Sequence, residues 1–481
     1  MNKYFDFSLN IQQNKIFESL KDFTINDDDI FILKGYAGTG KTTMMSGLIK
    51  YLNANNITFR LLSSTGRAAK VLSDKTNLSA NTIHSEIYSF GGIDEDLESL
   101  SNDNLNNIDD KGQINLLFEL TSQNSDTDII YIIDEASMIS DTKSRGSSFA
   151  QFGDGDLLSD LFKYDQTGKF IFIGDPCQLP PINQVFSPAL SKSYLENKFQ
   201  KKVIEFELTQ VMRQSEENDI FNISNNLRRL VTRNPDIKWP KLPFKNSKNI
   251  ELVGDLSEMI LKYIDLINNN DTTFSTFLCH SNRQCKEINK LIRAILYDNI
   301  NQLHVGDLLL VTQNSQLVDL VNGDIVKIEK IGKSEYRCGL HFTNVVVTEL
   351  ASKNTFNTLM VRDIPFSINS NITDKQHKDI FIDFYLRMKN KGISQNSDQF
   401  NKQMIKDPYL NALKSVFGYA ISCHKSQGGE WEELFLYVNK SLYVLNQRPP
   451  SFYQWAYTAV TRAKEKIYVN NQIGETDWMI N

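Results

Sequence analysis

No apolar run in these 481 residues approaches the length needed to cross a bilayer, and the opening MNKYFDFSLN has no apolar core of the signal-peptide kind. A membrane protein is therefore not expected, and the expected location is the cytoplasm. Cysteine is scarce: five residues, at positions 177, 279, 285, 338 and 423, with no C-x-x-C pair. That spacing suggests neither a disulfide framework nor a zinc site. Net positive charge is missing too, since 52 Lys and Arg against 58 Asp and Glu leave a formal charge of −6. The sign counts against a protein that coats nucleic acid wholesale, but not against one that grips a strand through a local groove. The acidity is uneven: DEDLESLSNDNLNNIDD, residues 94–110, has few large apolar groups and reads as a solvated loop or surface insertion.

What is present begins with Ile30 to Thr43, IFILKGYAGTGKTT. A short apolar run is followed by a complete G-x-x-x-x-G-K-T and then by a helical segment, which is the strand–loop–helix context this motif requires. Gly35, Gly38 and Gly40 let the backbone wrap closely, so that its N–H groups and the helix N-terminus face the phosphates of a nucleotide. Lys41 supplies a point charge for the β- and γ-phosphates, and the Thr42 hydroxyl is placed for Mg²⁺, with Thr39 and Thr43 beside them. At this length, with 41% hydrophobic residues, two to four soluble domains are expected.

Taken in order, the chain repeats a strand-then-polar-turn pattern. Leu9 to Phe17 predicts a capped helix, in which Gln13 is either a surface residue or a contact to an adenine edge. The strand Thr58–Ser63 leads to STGRAAK, where Thr65 and Arg67 fit either a phosphate-backbone site or an ordinary strand-to-helix turn. His84, in TIH, is similarly open between a structural and a functional role. The run DIIYII ends in Asp134-Glu135: two carboxylates after a buried strand, one to hold Mg²⁺ through water and one to polarise the attacking water. KFIFI precedes GDPCQLPP, in which Gln178 fits a γ-phosphate contact or a polar loop. Arg213, in LTQVMRQ, fits an arginine finger or a surface arginine. Residues 228–250 read as an irregular excursion, and 351–411 as mixed and polar.

A strand–helix pattern restarts at Phe274, and short β-runs from Val305 to Val347, with a turn at Asn322-Gly323, read as a small β-barrel inserted in a second α/β domain. The α/β pattern returns at Val416, passes through SCHKSQGGEW, and ends with the predicted helix Phe452–Lys464 and a strand at Ile467–Val469.

In order, GYAGTGKTT, STGRAAK, TIH, IIDEAS, GDPCQLPP, LTQVMRQ, CHKSQGGEW and YTAVTRAK resemble the signature blocks of superfamily 1 helicases, and the TGRAA and HKSQG forms resemble the RecD/Dda branch, superfamily 1B. The resemblance runs from about Leu9 to Val469. It implies an α/β fold of two RecA-like P-loop NTPase domains, the first spanning 1–84 and 122–205, the second 206–300 and 412–481. A small insertion at 85–121 stands where the branch carries its strand-separating pin, and 301–411 would hold an SH3-like barrel. It implies ATP and Mg²⁺ as cofactors. Gln13 would meet adenine and Glu430 the ribose, with Gly38, Thr39, Gly40, Lys41, Thr42 and Thr43 at the phosphates. Thr42 and Asp134 would serve the metal, Glu135 the water, and Gln178 the γ-phosphate, with Arg213 and Arg462 reaching in from the second domain. Thr65, Arg67, His84, His424, Lys425 and Ser426 match positions facing single-stranded DNA. The implied activity is a DNA helicase moving 5′→3′ on single-stranded and forked DNA, active as a monomer, with replication or recombination proteins as further partners. Two rival readings are a translocase that displaces bound proteins and a motor subunit of a nuclease–helicase complex. Gly429 stands where the family commonly has Ser, and the residues around the pin are acidic, which bears on unwinding more than on hydrolysis.

Overall fold

The computed structural model describes residues 3–93, 116–123, 128–143, 150–210, 218–235, 237–269, 274–368, 370–395, 397–447, 450–473 and 476–480. The apolar runs that the sequence marks as strands assemble into two all-parallel sheets. In the first, Ala80–Thr82, Phe59–Ser63, Ile130–Asp134, Lys169–Gly174, Ile30–Gly35 and Val203–Leu208 lie side by side in that order. Strands buried on both faces need continuous apolar sequence, which is what FIL, YII and FIFI supply. Two apolar clusters cover the faces, one built on Phe17, Phe31 and Leu48, the other on Tyr131, Leu161 and Phe172.

The second sheet has the order Ile250–Val253, Ala463–Asn470, Trp431–Leu436, Ser275–Cys279 and Ala420–Ser422. Its helices include Asn282–Leu296 and Ser451–Val460. The predicted helix at Phe452–Lys464 ends four residues early, so Thr461-Arg462 forms a turn before the final strand, which is itself longer than Ile467–Val469.

Between these strands the chain makes an antiparallel sheet of Thr355–Val361, Leu340–Glu349, Ile325–Arg337, Leu308–Val311 and Ser415–Phe417. Leu413 N donates to Leu359 O at 2.7 Å and Leu413 O accepts from Val361 N at 3.1 Å, which joins the two outer strands and closes a small barrel. Its last strand lies beyond the boundary expected at 411. A buried ion pair fastens the barrel to the second domain: Arg293 Nε donates to Asp307 Oδ1 at 2.8 Å, and Arg293 also caps the carbonyls of Ile300 and Gln302.

Two polar stretches carry more order than their composition suggests. The supposed excursion from Arg228 begins inside a helix, Asp219–Arg233, whose Ile220, Ile223, Leu227 and Val231 form a buried stripe at helical spacing. The mixed segment holds helices Asp374–Asn390 and Asp398–Lys406, which bury Phe381, Phe384 and Phe400. Residues 94–115, with most of the expected pin insertion, lie outside the described residues. Its flanks, Tyr88–Ile93 and Leu116–Leu120, pair antiparallel, and Leu116–Leu120 adds Ala150–Phe152 on its other edge. Phe90 and Leu116 pack against the two helices just named. Among the described residues no helix is long and apolar enough to cross a membrane.

Candidate functional site

In parallel sheets the loops that follow the strands gather along one edge, and that edge is where ligands are held. The register brings the ends of three strands together, because Gly174 lies opposite Lys34 on one side and Phe172 opposite Ile133 on the other, so Gly35, Asp134 and Gly174 are within about one residue of one level. The phosphate loop, the paired carboxylates and the Asp175–Leu179 loop therefore share one rim. A cleft of about 830 Å³ opens there, and its walls include Gly38, Lys41, Thr42, Asp134, Glu135 and Gln178 from the first domain. Glu430, Arg462 and Trp431 line it from the second domain, and Asp324 and Glu349 from the barrel.

Loop geometry follows from residue type. Gly38 and Gly40 adopt φ of 76° and 90°, in the left-handed region that side-chain-bearing residues rarely enter. Gly40 leads into the helix Lys41–Ala54, so the helix N-terminus and its free N–H groups face the cleft. A Cβ at Gly35 would lie 2.8 Å from Lys41 Cγ, so the lysine can fold back over the loop, where its Nζ donates to Gly35 O at 2.6 Å and Tyr36 O at 3.1 Å. Thr39 is buried, and its hydroxyl donates to Tyr36 O.

Asp134 is half-buried on the cleft wall. Burial, and then the neighbouring Glu135, push its carboxyl up to about 6, against the opposing pull of the Glu135 N–H and Lys41. Glu135 itself has φ of 52°, a conformation that costs a non-glycine residue energy and recurs at functional sites. Ser63 and Ser64 donate to the carbonyls of Asp134 and Glu135 and hold this turn. Asp134 and Thr42 offer hard oxygen donors of the type Mg²⁺ takes, and a divalent cation would offset the cost of the half-buried carboxylate. Gln178 Oε1 is buried with no hydrogen-bond partner among the described residues, so the side chain has capacity left for a ligand.

The domains are fastened beside this cleft. Tyr457 OH donates to Asp175 Oδ2 at 2.7 Å and accepts from the phosphate-loop Ala37 N at 3.2 Å. Leu179 N donates to Thr458 Oγ1 at 2.9 Å, and Gln427 Nε2 donates to Leu179 O. Cys177 and Leu179 are part of the second domain's apolar cluster, alongside Leu227, Phe452 and Trp455. Burial there pushes the Cys177 thiol up to about 12, so it packs as an inert hydrophobe. Arg228 stacks its guanidinium 4.2 Å from the Tyr36 ring centroid, and its Nη1 is buried without a hydrogen-bond partner among the described residues. Neither Tyr457 nor Arg228 stood out from local sequence. Tyr457 lies inside the YTAVTRAK block, but only the fold shows which face of that helix meets the phosphate loop.

The other expected contacts divide. Arg462 lies in the cleft, its Nη1 donating to Gly429 O at 3.2 Å, and Glu430 is exposed at the rim. Gln13 is buried in a capping box with Asn10 and is not on the cleft wall. Arg213 lies outside the described residues. Thr65, His84, His424, Lys425 and Ser426 all follow strands of the two sheets at their carboxyl ends. Thr65 caps the helix Gly66–Thr76, and His84 meets Phe152 edge-on with ring centroids 5.2 Å apart, its pKa lowered by burial. Burial lowers His424 and Lys425 as well, the histidine helped by His280. Ser426 is fully buried and donates to Cys423 O at 2.8 Å, so its hydroxyl closes a turn. Arg67 is the clear correction. Its guanidinium sits 5.0 Å from the Trp431 ring centroid on the wall of the nucleotide cleft, because the barrel covers the helix face from which it projects.

A second cavity, of about 530 Å³, runs along Asn282–Leu296 as far as Lys425. Lys286, Lys290, Arg293 and Lys425 line it with Phe366 and Phe417, and no carboxylate does among the described residues. In an acidic protein this is a local positive groove with aromatic walls.

Residues 8–234 match the model of an AAA domain family, and residues 417–469 that of the UvrD-like helicase C-terminal domain. An uncharacterised protein of Acanthamoeba polyphaga mimivirus is 24% identical, over 96% of this chain and 99% of its own length. One from Methanocaldococcus jannaschii is 23% identical over 97% of this chain, which spans 38% of that relative. Among solved structures, Pif1 helicase from Bacteroides in complex with ADP-AlF3 and single-stranded DNA matches with a TM-score of 0.50 and 16% identity, over 99% of this chain and 95% of that one. Pif1 from Candida albicans gives 0.42 and 16%, over 97% and 95%. At such identities the likeness is one of fold, and the fold is that of two RecA-like domains.

Proposed function

We propose that the chain is a helicase of superfamily 1B, which hydrolyses ATP between its two domains and uses the cycle to move along single-stranded DNA and unwind duplex DNA. The observation that carries this reading is the convergence of Lys41, Thr42, Asp134, Glu135, Gln178 and Arg462, from both domains, on one cleft.

In this reading the helix N-terminus at Lys41 and the Lys41 ammonium hold the β- and γ-phosphates. Thr42, and Asp134 through water, would hold Mg²⁺, whose positive charge would offset that of the phosphates. Glu135 accepts a hydrogen bond from the attacking water and orients it. Gln178 reports the γ-phosphate to the loop that joins the domains. Arg462 draws the second domain towards the γ-phosphate, and Arg213 joins it by resemblance. Glu430 and Gln13 remain the proposed ribose and adenine contacts. Closing and opening the cleft alternates the grip of the two domains on a strand, so each hydrolysis becomes a step. Thr65, His84, His424 and Lys425 face that strand, and the positive groove along Asn282–Leu296 extends its path. Contacts to the backbone make the grip tolerant of sequence. The proposed polarity, 5′→3′, follows from the branch that the motifs resemble.

The test is ATP hydrolysis with and without single-stranded DNA, with Lys41→Ala as the blank. Strong stimulation by DNA supports the motor, and forked substrates of each polarity then read out direction. Hydrolysis indifferent to DNA overturns the helicase reading.

A further inference from the structure

The TGRAAK helix makes contacts that neither phosphate chemistry nor strand binding requires. Gly66 packs against the barrel: a Cβ there would lie 2.7 Å from Val321 Cβ. One turn along, Lys70 Nζ is 2.7 Å from Glu349 Oε2 and 3.5 Å from Asp324 Oδ2, and it donates to Asp319 O at 3.3 Å. Glu349 is 1% exposed and Asp324 4%, so both carboxylates are out of water. Burial, outweighing the Val321 N–H it accepts and the neighbouring cations, holds the Asp324 carboxyl up at about 6. Between these points Arg67 Nη1 donates to Gly323 O at 3.4 Å, and Gly323, with φ of 101°, takes the left-handed turn that brings this carbonyl across.

Arg67 is also next to the residue proposed to meet the γ-phosphate. A Cβ at Gly429 would stand 2.7 Å from Arg67 Nη2, while Gly429 O accepts from Arg462 Nη1 at 3.2 Å. Two like-charged guanidiniums thus flank one glycine. A side chain at that position would have to displace one of them, which gives a local reason for glycine where related chains commonly carry serine. Buried ion pairs are poor stabilisers compared with an apolar contact of the same shape, so a cluster of two cations and two carboxylates at a domain boundary invites a role in registering two states.

We propose that Arg67 and Lys70 are positioning residues that couple the nucleotide cleft to the barrel: Lys70 with Glu349 and Asp324 is a charge latch between the first domain and the barrel, and Arg67 ties it to Arg462. The proposal rests on the reading that the cleft binds ATP. When a γ-phosphate engages Arg462, Arg67 is relieved of its like-charged neighbour and settles onto the barrel turn that Lys70 holds. Because such coupling is reciprocal, a strand held on the second domain alters the cleft through the same contacts.

The test uses the full chain with Lys70→Met and Glu349→Gln made together, which removes one cation and one carboxylate and leaves the net charge unchanged. Four quantities are measured: thermal unfolding, ATP hydrolysis without DNA, ATP hydrolysis with single-stranded DNA, and the change in single-stranded DNA affinity when a non-hydrolysable ATP analogue is added. The neutral pair is expected to unfold like the parent, and its own hydrolysis without DNA is the reference for its stimulation. Its stimulation by DNA falls about tenfold, and the nucleotide-dependent change in DNA affinity is lost. The charge-swapped pair Lys70→Glu/Glu349→Lys recovers part of both, which a packing role would not predict. Asp324→Asn, which keeps the Lys70–Glu349 pair, gives a smaller loss of about threefold and serves if the neutral pair does not fold. Parent-like coupling in the neutral pair, or in Asp324→Asn should that pair fail to fold, overturns the latch alone. A parent without DNA-stimulated hydrolysis overturns the functional reading and the latch with it.

Discussion

Among the described residues, two of the contacts between the domains have opposite character. At the Asp175–Leu179 loop the contact is mainly apolar: Cys177 and Leu179 are inside the second domain's core, and the polar bonds run to Thr458, Gln427 and Tyr457. At the barrel the contact is charged, with Lys70 and Arg67 set against Asp324, Glu349 and a backbone carbonyl. Apolar burial has no preferred partner geometry, so the first contact survives small rotations and behaves as a pivot. A buried charge is tolerated only while its partner stays in place, so the second contact separates arrangements sharply. A cleft that must open and close repeatedly without dissociating needs one contact of each kind.

The largest effect should come from the cleft between them. Arg462→Ala is expected to lower ATP turnover by about 10³-fold, the low end for an arginine finger, with little change in nucleotide affinity. Steady-state kinetics that show a higher KM and an unchanged kcat would place Arg462 outside the reacting phosphate. Next is the pivot itself. Leu179→Ala should cost about 2–4 kcal/mol in denaturant unfolding, the range for deleting a buried leucine side chain. A cost under 0.5 kcal/mol would mean that the loop is not part of the core.

Tyr457→Phe sharpens the comparison, because it removes one hydroxyl and no packing. The lost bonds to Asp175 and Ala37 should destabilise the protein by about 1–2 kcal/mol and slow hydrolysis several-fold, as the phosphate loop loses its tie to the pivot. Smallest is the response of the charged contact to salt. Raising salt from about 0.05 to 0.2 M should weaken binding of single-stranded DNA by more than tenfold through counterion release. The ratio of stimulated to basal hydrolysis at saturating DNA should stay within about twofold, since buried pairs are little screened. A ratio that falls in step with DNA affinity would place the Lys70 cluster in solvent.

Much of the nucleotide site was legible because a parallel α/β fold ties chemistry to strand ends. Once FIL, YII and FIFI are read as buried strands, the residues after each one must share a rim, whatever the strand order. That logic places Lys41, Asp134 and Gln178 together without a structure. It fails for residues whose direction depends on another element. Arg67 follows a strand like the others, but the barrel turns it into the cleft, and nothing near STGRAAK announces a partner at Gly323. Tyr457 is similar, because its helix is buried on every side and periodicity cannot tell which face meets the phosphate loop. The helix Asp219–Arg233 was hidden by its polar composition, though Ile220, Ile223, Leu227 and Val231 carry the helical spacing that would have revealed it. Gln13 illustrates the reverse case: a capped helix was legible in Leu9 to Phe17, and the structure uses Gln13 in that cap with Asn10, away from the cleft wall, where the resemblance implies an adenine contact.

The order of strands also bears on how the protein is made. The first sheet is complete once Leu208 has been synthesised, and it can fold while the rest is still being translated. The second sheet cannot, because Ile250–Val253 and Ser275–Cys279 wait for neighbours that begin only at Ala420. During that interval two apolar strands have open edges, and Cys177 and Leu179 lack the core they will enter. Contacts this distant in sequence form slowly and leave the nascent chain open to aggregation. Truncations or translational pauses between about 280 and 420 should therefore yield a soluble first domain trailing an insoluble remainder, and expression strategies for this fold do best when the last fifty residues arrive without delay.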